Sequence, residues 1–195
     1  AELRQMLAVH EKERGTALAR EAALAEVLKA ISQSPDDAQP VFALIVHHAR
    51  ELCQAQAASV SEFDGTSIHI RAIDGHAPAA SAALRAAFPR PPGPETMHGR
   101  TILTGEIAYL HDTSNDPTIF LAGRGLGAGS AIGVPLRQDG NVIGTIVLSR
   151  FQVRDFNASE VALVQSFADQ AVIAIASATV LRELRTRTAE LAERN

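Results

Sequence analysis

From Asn157 to Arg194 the chain runs without a glycine or a proline, the pattern of one unbroken helix. It is apolar and alanine-rich through Phe167, Val172, Ile173 and Ile175, then charged from Arg182 onward. At ~1.5 Å per residue such a helix measures on the order of 50 Å, longer than a small domain is wide. Its first half can therefore lie in a core while its second half leaves it. Beyond the core, Val180, Leu184 and Leu191 keep the spacing of a two-stranded coiled coil.

The other end mirrors this. Ala1 to Ile31 contains no proline and a single glycine, Gly15. A three-four spacing picks out Leu3, Leu7, His10, Arg14, Ala17, Glu21, Leu24, Leu28 and Ile31. His10, Arg14 and Glu21 interrupt the seam, so a dimer built on this helix alone would be weak. The alternative is an amphipathic helix folded back on its own domain. A chain that opens on Ala and both starts and ends in mid-helix is expected to be a piece of a longer protein.

With 195 residues, 46% of them hydrophobic, the chain can build one domain with a real core and helical extensions. A net charge of −4 with dispersed Lys and Arg offers no basic patch for nucleic acid. Cys53 is the only cysteine, which rules out an internal disulfide and a cysteine-built zinc site. No apolar run approaches the ~20 residues of a membrane span and no signal-peptide pattern opens the chain, so a cytoplasmic setting is expected.

Between the terminal helices the pattern reads helix, hairpin, helices, hairpin. Ser34-Pro35-Asp36-Asp37 predicts a helix start, with Ser34 as N-cap, running to about Gln54. Ala58 to Phe63 and Ser67 to Ile73 read as strands around Asp64-Gly65. A helix over Ala79 to Phe88 precedes the proline-dense loop Pro89 to Pro94. A short helix over Gly99 to Thr104, a short strand over Ile107 to Leu110 and a helical turn from Asp116-Pro117 through Phe120 and Leu121 follow. Ser130 to Leu136 and Val142 to Ser149 form a second hairpin around Asp139-Gly140. Ile143 to Leu148 is apolar almost throughout, as in a strand covered on both faces. An α+β fold with a central antiparallel sheet and helices on both sides follows.

Some stretches have the letters of enzyme motifs. Gly123-Arg124-Gly125-Leu126-Gly127-Ala128 matches a dinucleotide fingerprint, but it follows a helical segment and leads into a strand, the reverse of what that loop needs. His47 and His48 are adjacent on a helix and cannot put both rings on one metal; His48 reads as a core-edge histidine and His47 as a solvated one. Ser130 lacks a nucleophile elbow, and Cys53 lies on an apolar helix where a structural thiol is the default. Tyr109, His111 and Asp112 could line a pocket. Equally, Asp112 could cap the next turn while His111 faces water.

The succession Glu26 to Ser32, Ser34-Pro35, Pro40-Val41-Phe42, Ala49 to Cys53, Phe63-Asp64-Gly65, Phe88-Pro89, Gly133 to Leu136, Ile143-Gly144 and Phe167 to Ile175 resembles a GAF domain. It is most like the GAF modules of bacterial sensor histidine kinases and, less often, nucleotide cyclases. The likeness covers about Ala25 to Leu191.

The resemblance implies a PAS-like, profilin-like α/β sandwich: a six-stranded antiparallel sheet with the long terminal helices and the Asp36 helix on one face. The region from Ala79 to Gly129 would close a small-molecule pocket over the other. It divides the chain into an N-terminal signalling and dimerisation helix (1–31), the GAF domain (32–180) and a C-terminal signalling helix (181–195). It further implies a parallel homodimer using Leu3, Leu7, Leu24, Leu28, Ile31, Val180, Leu184 and Leu191. The partner in sequence would be a covalently linked output domain such as a kinase core. The chain has neither a phospho-accepting histidine motif nor ATP-binding glycine boxes, so it is expected to be a non-catalytic sensory module of a two-component system, or a ligand-free spacer. Some relatives of this fold reduce methionine sulfoxide, a chemistry that needs reactive cysteines.

As to ligand, cyclic-nucleotide-binding members carry Asn-Lys, Phe and Asp-Glu after the last strand. Here Ser149-Arg150 and Glu160-Val161 replace the pairs and Phe156 is kept, a departure that argues against cyclic nucleotide. Bilin-binding members use a pocket cysteine that this chain lacks. Haem would require His76, His98 or His111 to turn inward. The candidate pocket residues are Phe63, His76, Phe88, Arg100, Thr101, Tyr109, Asp112, Phe120 and Ser130. Among them Arg100 is expected to meet an anionic ligand from the first turn of a helix.

Overall fold

The computed structural model describes residues 2–119 and 129–193. Phe120, Leu121 and the glycines Gly123, Gly125 and Gly127 lie outside the described residues, as does the side chain of Leu191. Strands β1 (Ala57–Phe63), β2 (Ile68–Asp74), β3 (Ala108–Leu110), β4 (Ser130–Gln138) and β5 (Asn141–Arg150) form one five-stranded antiparallel sheet in the order β2-β1-β5-β4-β3. The β4–β5 hairpin turns on Asp139 and Gly140, whose φ values of +51° and +81° are those a two-residue turn between twisted strands requires.

The sheet has five strands among the described residues rather than the six expected. Outside the named strands Arg90 makes one bridge to Ile68 on the outer side of β2, through Ile68 N–H to Arg90 O at 2.8 Å and Arg90 N–H to Ile68 O at 3.3 Å. Pro89, Pro91 and Pro92 around it have no N–H to extend a ladder.

Strand alternation sorts the residues into two layers. Val60, Ile132, Val134, Leu136, Ile146 and Leu148 point to one face. There they meet Val41, Phe42, Ile45 and Val46 of α2 (Gln39–Leu52) and Val164, Phe167, Ala171 and Ala174 of α5 (Ala158–Glu193). Ala23, Val27 and Ile31 of α1 (Glu2–Gln33) complete this core. Each large side chain buried there contributes roughly 1.5–3 kcal/mol. The other face is covered by α4 (Met97–Thr104), whereas α3 (Pro78–Ala86) buries none of its residues. It carries a smaller cluster of Met97, Leu110, Ile119, Ala131 and Val147.

Two contacts fix how the terminal helices run. Arg20 of α1 donates to Ser159 Oγ at the start of α5, at 2.7 Å, and Arg185 of α5 is paired with Asp36 just after α1, at 2.5 Å. The helices are therefore parallel and project from opposite ends of the domain. Residues 3–19 of α1 are exposed throughout, and among the described side chains of α5 the last buried one is Ala178. Val180 and Leu184 beyond it are 55% and 53% exposed. By length and composition α5 would also pass for a membrane span, but Val164, Phe167, Ala168, Ala171, Ala174 and Ala178 bury its apolar face inside the domain.

The structure corrects the N-terminal seam in register. Ile31 is in the domain's own core and Leu24 packs against that core, whereas Leu3, Leu7 and Leu28 are exposed. The start of α2 also differs. Helix α1 continues to Gln33, Ser34 N–H still bonds Ala30 O at 3.0 Å, and α2 begins at Gln39 with Pro40 in its first turn. Asp37 Oδ1 accepts the Gln39 N–H at 2.9 Å, while Asp36 turns to Arg185. A 3-10 turn over Thr113–Asn115 precedes the position at which the helical turn was expected.

Candidate functional site

The sheet face opposite the terminal helices is polar at its centre. Alternation places Ser59 and Ser61 of β1 and Thr145 of β5 there, all buried. Helix α4 can settle on this face because β4 offers Gly133: a Cβ at that position would lie 2.1 Å from Thr101 Oγ1. Thr96 caps α4 by accepting the Gly99 N–H at 2.9 Å. This capped first turn points His98 into the hydroxyl cluster.

His98 is 3% exposed. Its Nε2 lies 2.9 Å from Ser59 Oγ, and its Nδ1 lies 3.0 Å from Ser61 Oγ and 2.5 Å from Thr145 Oγ1. Ser61 and Thr145 are themselves 2.8 Å apart. Phe88 presents a ring edge-on to His98, with centroids 5.9 Å apart. Burial, reinforced by the nearby His76, pushes the His98 pKa down to about 3. Burial also lowers His76, against the pull of Asp74. The His76 Nδ1 is buried without a hydrogen-bond partner. Both imidazoles are thus neutral at pH 7, and the cluster can reorganise its hydroxyl hydrogen bonds without moving a charge.

Of the residues singled out from sequence, Phe63, His76, Phe88 and Thr101 are placed around this face. Phe63 is half-buried at the end of β1, on the side of Ser59 and Ser61, and Thr101 is fully buried with its hydroxyl returned to Met97 O at 2.9 Å. Arg100 is not held open for an anion: it pairs with Asp116 at 2.6 Å and donates to Thr118 Oγ1 and Pro94 O. Arg100 in turn holds the Asp116 carboxyl well below its usual range.

Tyr109 pairs in register with Ile132, so alternation turns it to the opposite face, where it is 50% exposed and stacks on His111. Asp112 caps the 3-10 turn, accepting Ser114 N–H at 2.9 Å and Ser114 Oγ–H at 2.6 Å, and His111 faces solvent beside Asp155. Ser130 shares its face with Ile132 and joins His111 O to Arg154 N–H through its hydroxyl. Sequence reading missed Ser59, Ser61 and Thr145. The signal was present as small hydroxyl residues recurring at every second position of a strand otherwise fit for burial on both sides.

Neither His98 nor His111 is placed to ligate haem, which leaves His76, whose Nδ1 has no partner. Both ring nitrogens of His98 are committed to hydroxyls, and His111 is outside. No group of three His, Cys, Asp or Glu able to hold a metal occurs among the described residues. Cys53 is fully buried on the helical side, where desolvation and Glu160 push its thiol up to about 12.

A second polar centre lies on that helical side. Arg150, 1% exposed, donates to Cys53 O at 2.5 Å, Glu160 Oε1 at 2.7 Å, Asp155 O at 2.7 Å and Arg154 O at 3.1 Å, and its guanidinium sits 3.9 Å over the Phe156 ring. Glu160 also forms a capping box with Asn157: each side chain accepts the other's N–H, at 2.9 and 3.0 Å. Arg150, Phe156 and Glu160, the positions compared above with the cyclic-nucleotide motif, thus meet as an anchor between the end of β5 and the start of α5. They are on the face away from His98.

The GAF domain family model matches residues 35–176. A comparison with curated protein sequences finds no match. Among solved structures, the GAF domain of a phosphoenolpyruvate-protein phosphotransferase from Coxiella burnetii superposes with a TM-score of 0.70 at 19% identity, covering 86% of this chain and 98% of that one. The free methionine-R-sulfoxide reductase from Neisseria meningitidis, solved with its substrate, gives 0.68 at 16% identity over 86% and 93% of the two chains. The domain of a putative two-component sensor histidine kinase from Sinorhizobium meliloti gives 0.60 at 15% identity over 75% and 95%. With the family model spanning most of its length and the sheet and helical layers agreeing, the chain belongs to the GAF domain family.

Proposed function

We propose that this GAF domain is a non-catalytic sensory and dimerisation module of a bacterial signal-transduction protein, most simply a cytoplasmic sensor histidine kinase. A small molecule at the His98 face, or a displacement arriving through α1, shifts the sheet against the helical layer. Helix α5 carries that shift to a covalently linked output domain.

The observation that carries this reading is the burial boundary on α5. A single helix is core up to Ala178 and then, past the half-buried Leu181, continues exposed through residue 190, with Val180 and Leu184 at coiled-coil spacing. Apolar residues kept on an otherwise charged, exposed helix fit a second copy of the same helix. In sedimentation, Val180→Glu with Leu184→Glu should turn a dimer into a monomer without lowering the thermal midpoint of the domain, since neither side chain packs in the core. A wild-type protein that is already monomeric at high concentration would overturn the dimer.

A ligand-free spacer is the second reading, favoured by the mutual satisfaction of His98, Ser59, Ser61 and Thr145. A thermal-shift panel of nucleotides, amino acids and organic acids separates the two: a sensor's midpoint rises with its ligand, a spacer's does not.

A further inference from the structure

The adjacent histidines of α2, unsuited to share a metal, occupy the place where the three helices of the core layer meet. His48 is 18% exposed, and its Nε2 lies 2.9 Å from Glu26 Oε2 on α1. Its ring stacks on Phe167 of α5, with centroids 6.5 Å apart and planes at 12°. One side chain therefore touches both terminal helices, by a directional polar contact on one side and an aromatic face on the other. His47 stands edge-on to it at 5.5 Å, with Nδ1 3.2 Å from Asp74 at the end of β2, which Arg50 also holds at 2.8 Å. The neighbouring core residues of α1 and α5, Ala23, Val27, Ala168, Ala171 and Ala174, are small and apolar, and such contacts tolerate sliding. The His48 contacts have a set geometry and do not.

We propose that His48 is a joint that couples α1 to α5 through α2, beside the contact of Arg20 with Ser159, so that a displacement of the incoming helix reaches the outgoing one without passing through the His98 face. His47 and Asp74 form a side branch that links the same joint to the sheet. This goes beyond the sensory reading, because it needs no ligand and holds for a spacer as well.

The test is a double-mutant comparison in the intact chain, read by NMR. Glu26→Ala should shift the Phe167 ring signals and the backbone amides of residues 164–171. In a His48→Leu background the same Glu26→Ala change should shift them by about threefold less or smaller still. His48→Gln supplies a second background that keeps a polar partner for Glu26 but has no ring for Phe167. There Glu26→Ala should still perturb α1 amides and leave those around Phe167 nearly unmoved. Equal responses around Phe167 in all backgrounds, or no response in the wild type, would overturn the proposal.

Discussion

The two faces of the sheet each bury a polar cluster, and the clusters differ in kind. On the helical side Arg150 and Glu160 are an ion pair whose guanidinium Nη1 and Nη2 groups also reach carbonyls and whose carboxylate also accepts at a helix N-terminus, while the Arg150 Nε is buried without a partner. On the other side His98, Ser59, Ser61 and Thr145 are neutral groups that share hydrogen bonds among themselves. A buried ion pair stays where its geometry is complete, because each charge left alone in the interior is costly. A hydroxyl–imidazole cluster can exchange one partner for another, a second hydroxyl or a ligand atom, at a small net change. One face is thus built to hold α5 to the sheet, and the other to adapt. A domain that relays a change needs both.

The largest effect should come from breaking the charged anchor. Glu160→Gln leaves Arg150 buried without its carboxylate and weakens the capping box, and should lower the unfolding free energy by about 3–5 kcal/mol in urea titrations at pH 7. A loss under about 1 kcal/mol would mean that the carbonyls alone suffice to hold Arg150.

The neutral cluster should show itself in pH dependence rather than in a large absolute change. The His98 pKa is lowered from 6.5 to about 3 in the folded chain, so below its ordinary value the unfolded state takes up a proton that the folded state refuses. Stability should therefore fall with decreasing pH across the window from about 6.5 to 3, by up to about 1.4 kcal/mol per pH unit from this group. His98→Gln should lose that slope, so the difference between wild type and variant should change across this window, and a difference independent of pH would contradict the buried neutral histidine.

The smallest effect belongs to the exposed pair of Arg185 with Asp36, although it joins distant parts of the chain. Arg185→Ala should leave the urea midpoint unchanged at physiological salt, since solvent screens such a pair. A clear drop would mean that the far end of α5 is held to the domain more firmly than its exposure indicates.

What could be read from sequence follows the range of the interactions involved. The two characters of α5 are local in sequence: the composition turns charged at Arg182, and burial ends four residues earlier, at Ala178. Strand and hairpin positions were legible for the same reason, through alternation and the Asp-Gly turns. The seam on α1 was not, because whether Ile31 meets a partner chain or its own core depends on how α2 and α5 stack beneath it.

The candidate site was legible only in part. Aromatic and histidine residues such as Phe88 and His76 draw attention by type, whereas Ser59, Ser61 and Thr145 acquire meaning only when β1 and β5 pair. Ser130 and Tyr109 were misplaced by strand parity, which a one-residue difference reverses. Arg150 and Glu160 read in sequence as a departure from a motif. In space the changed residues find each other and form a buried ion pair.

The central claim, that the exposed end of α5 pairs with the same segment of a second copy running in the same direction, can be tested by disulfide trapping. Cys53 is fully buried and leaves the surface free of native thiols among the described residues. Under mild oxidation Leu184→Cys should give a covalent dimer in high yield, because a parallel pair sets residue 184 against its own copy. Ala189→Cys, on the outer side of the same helix, should remain largely monomeric. Equal trapping at both positions, or none at Leu184→Cys, would contradict the account.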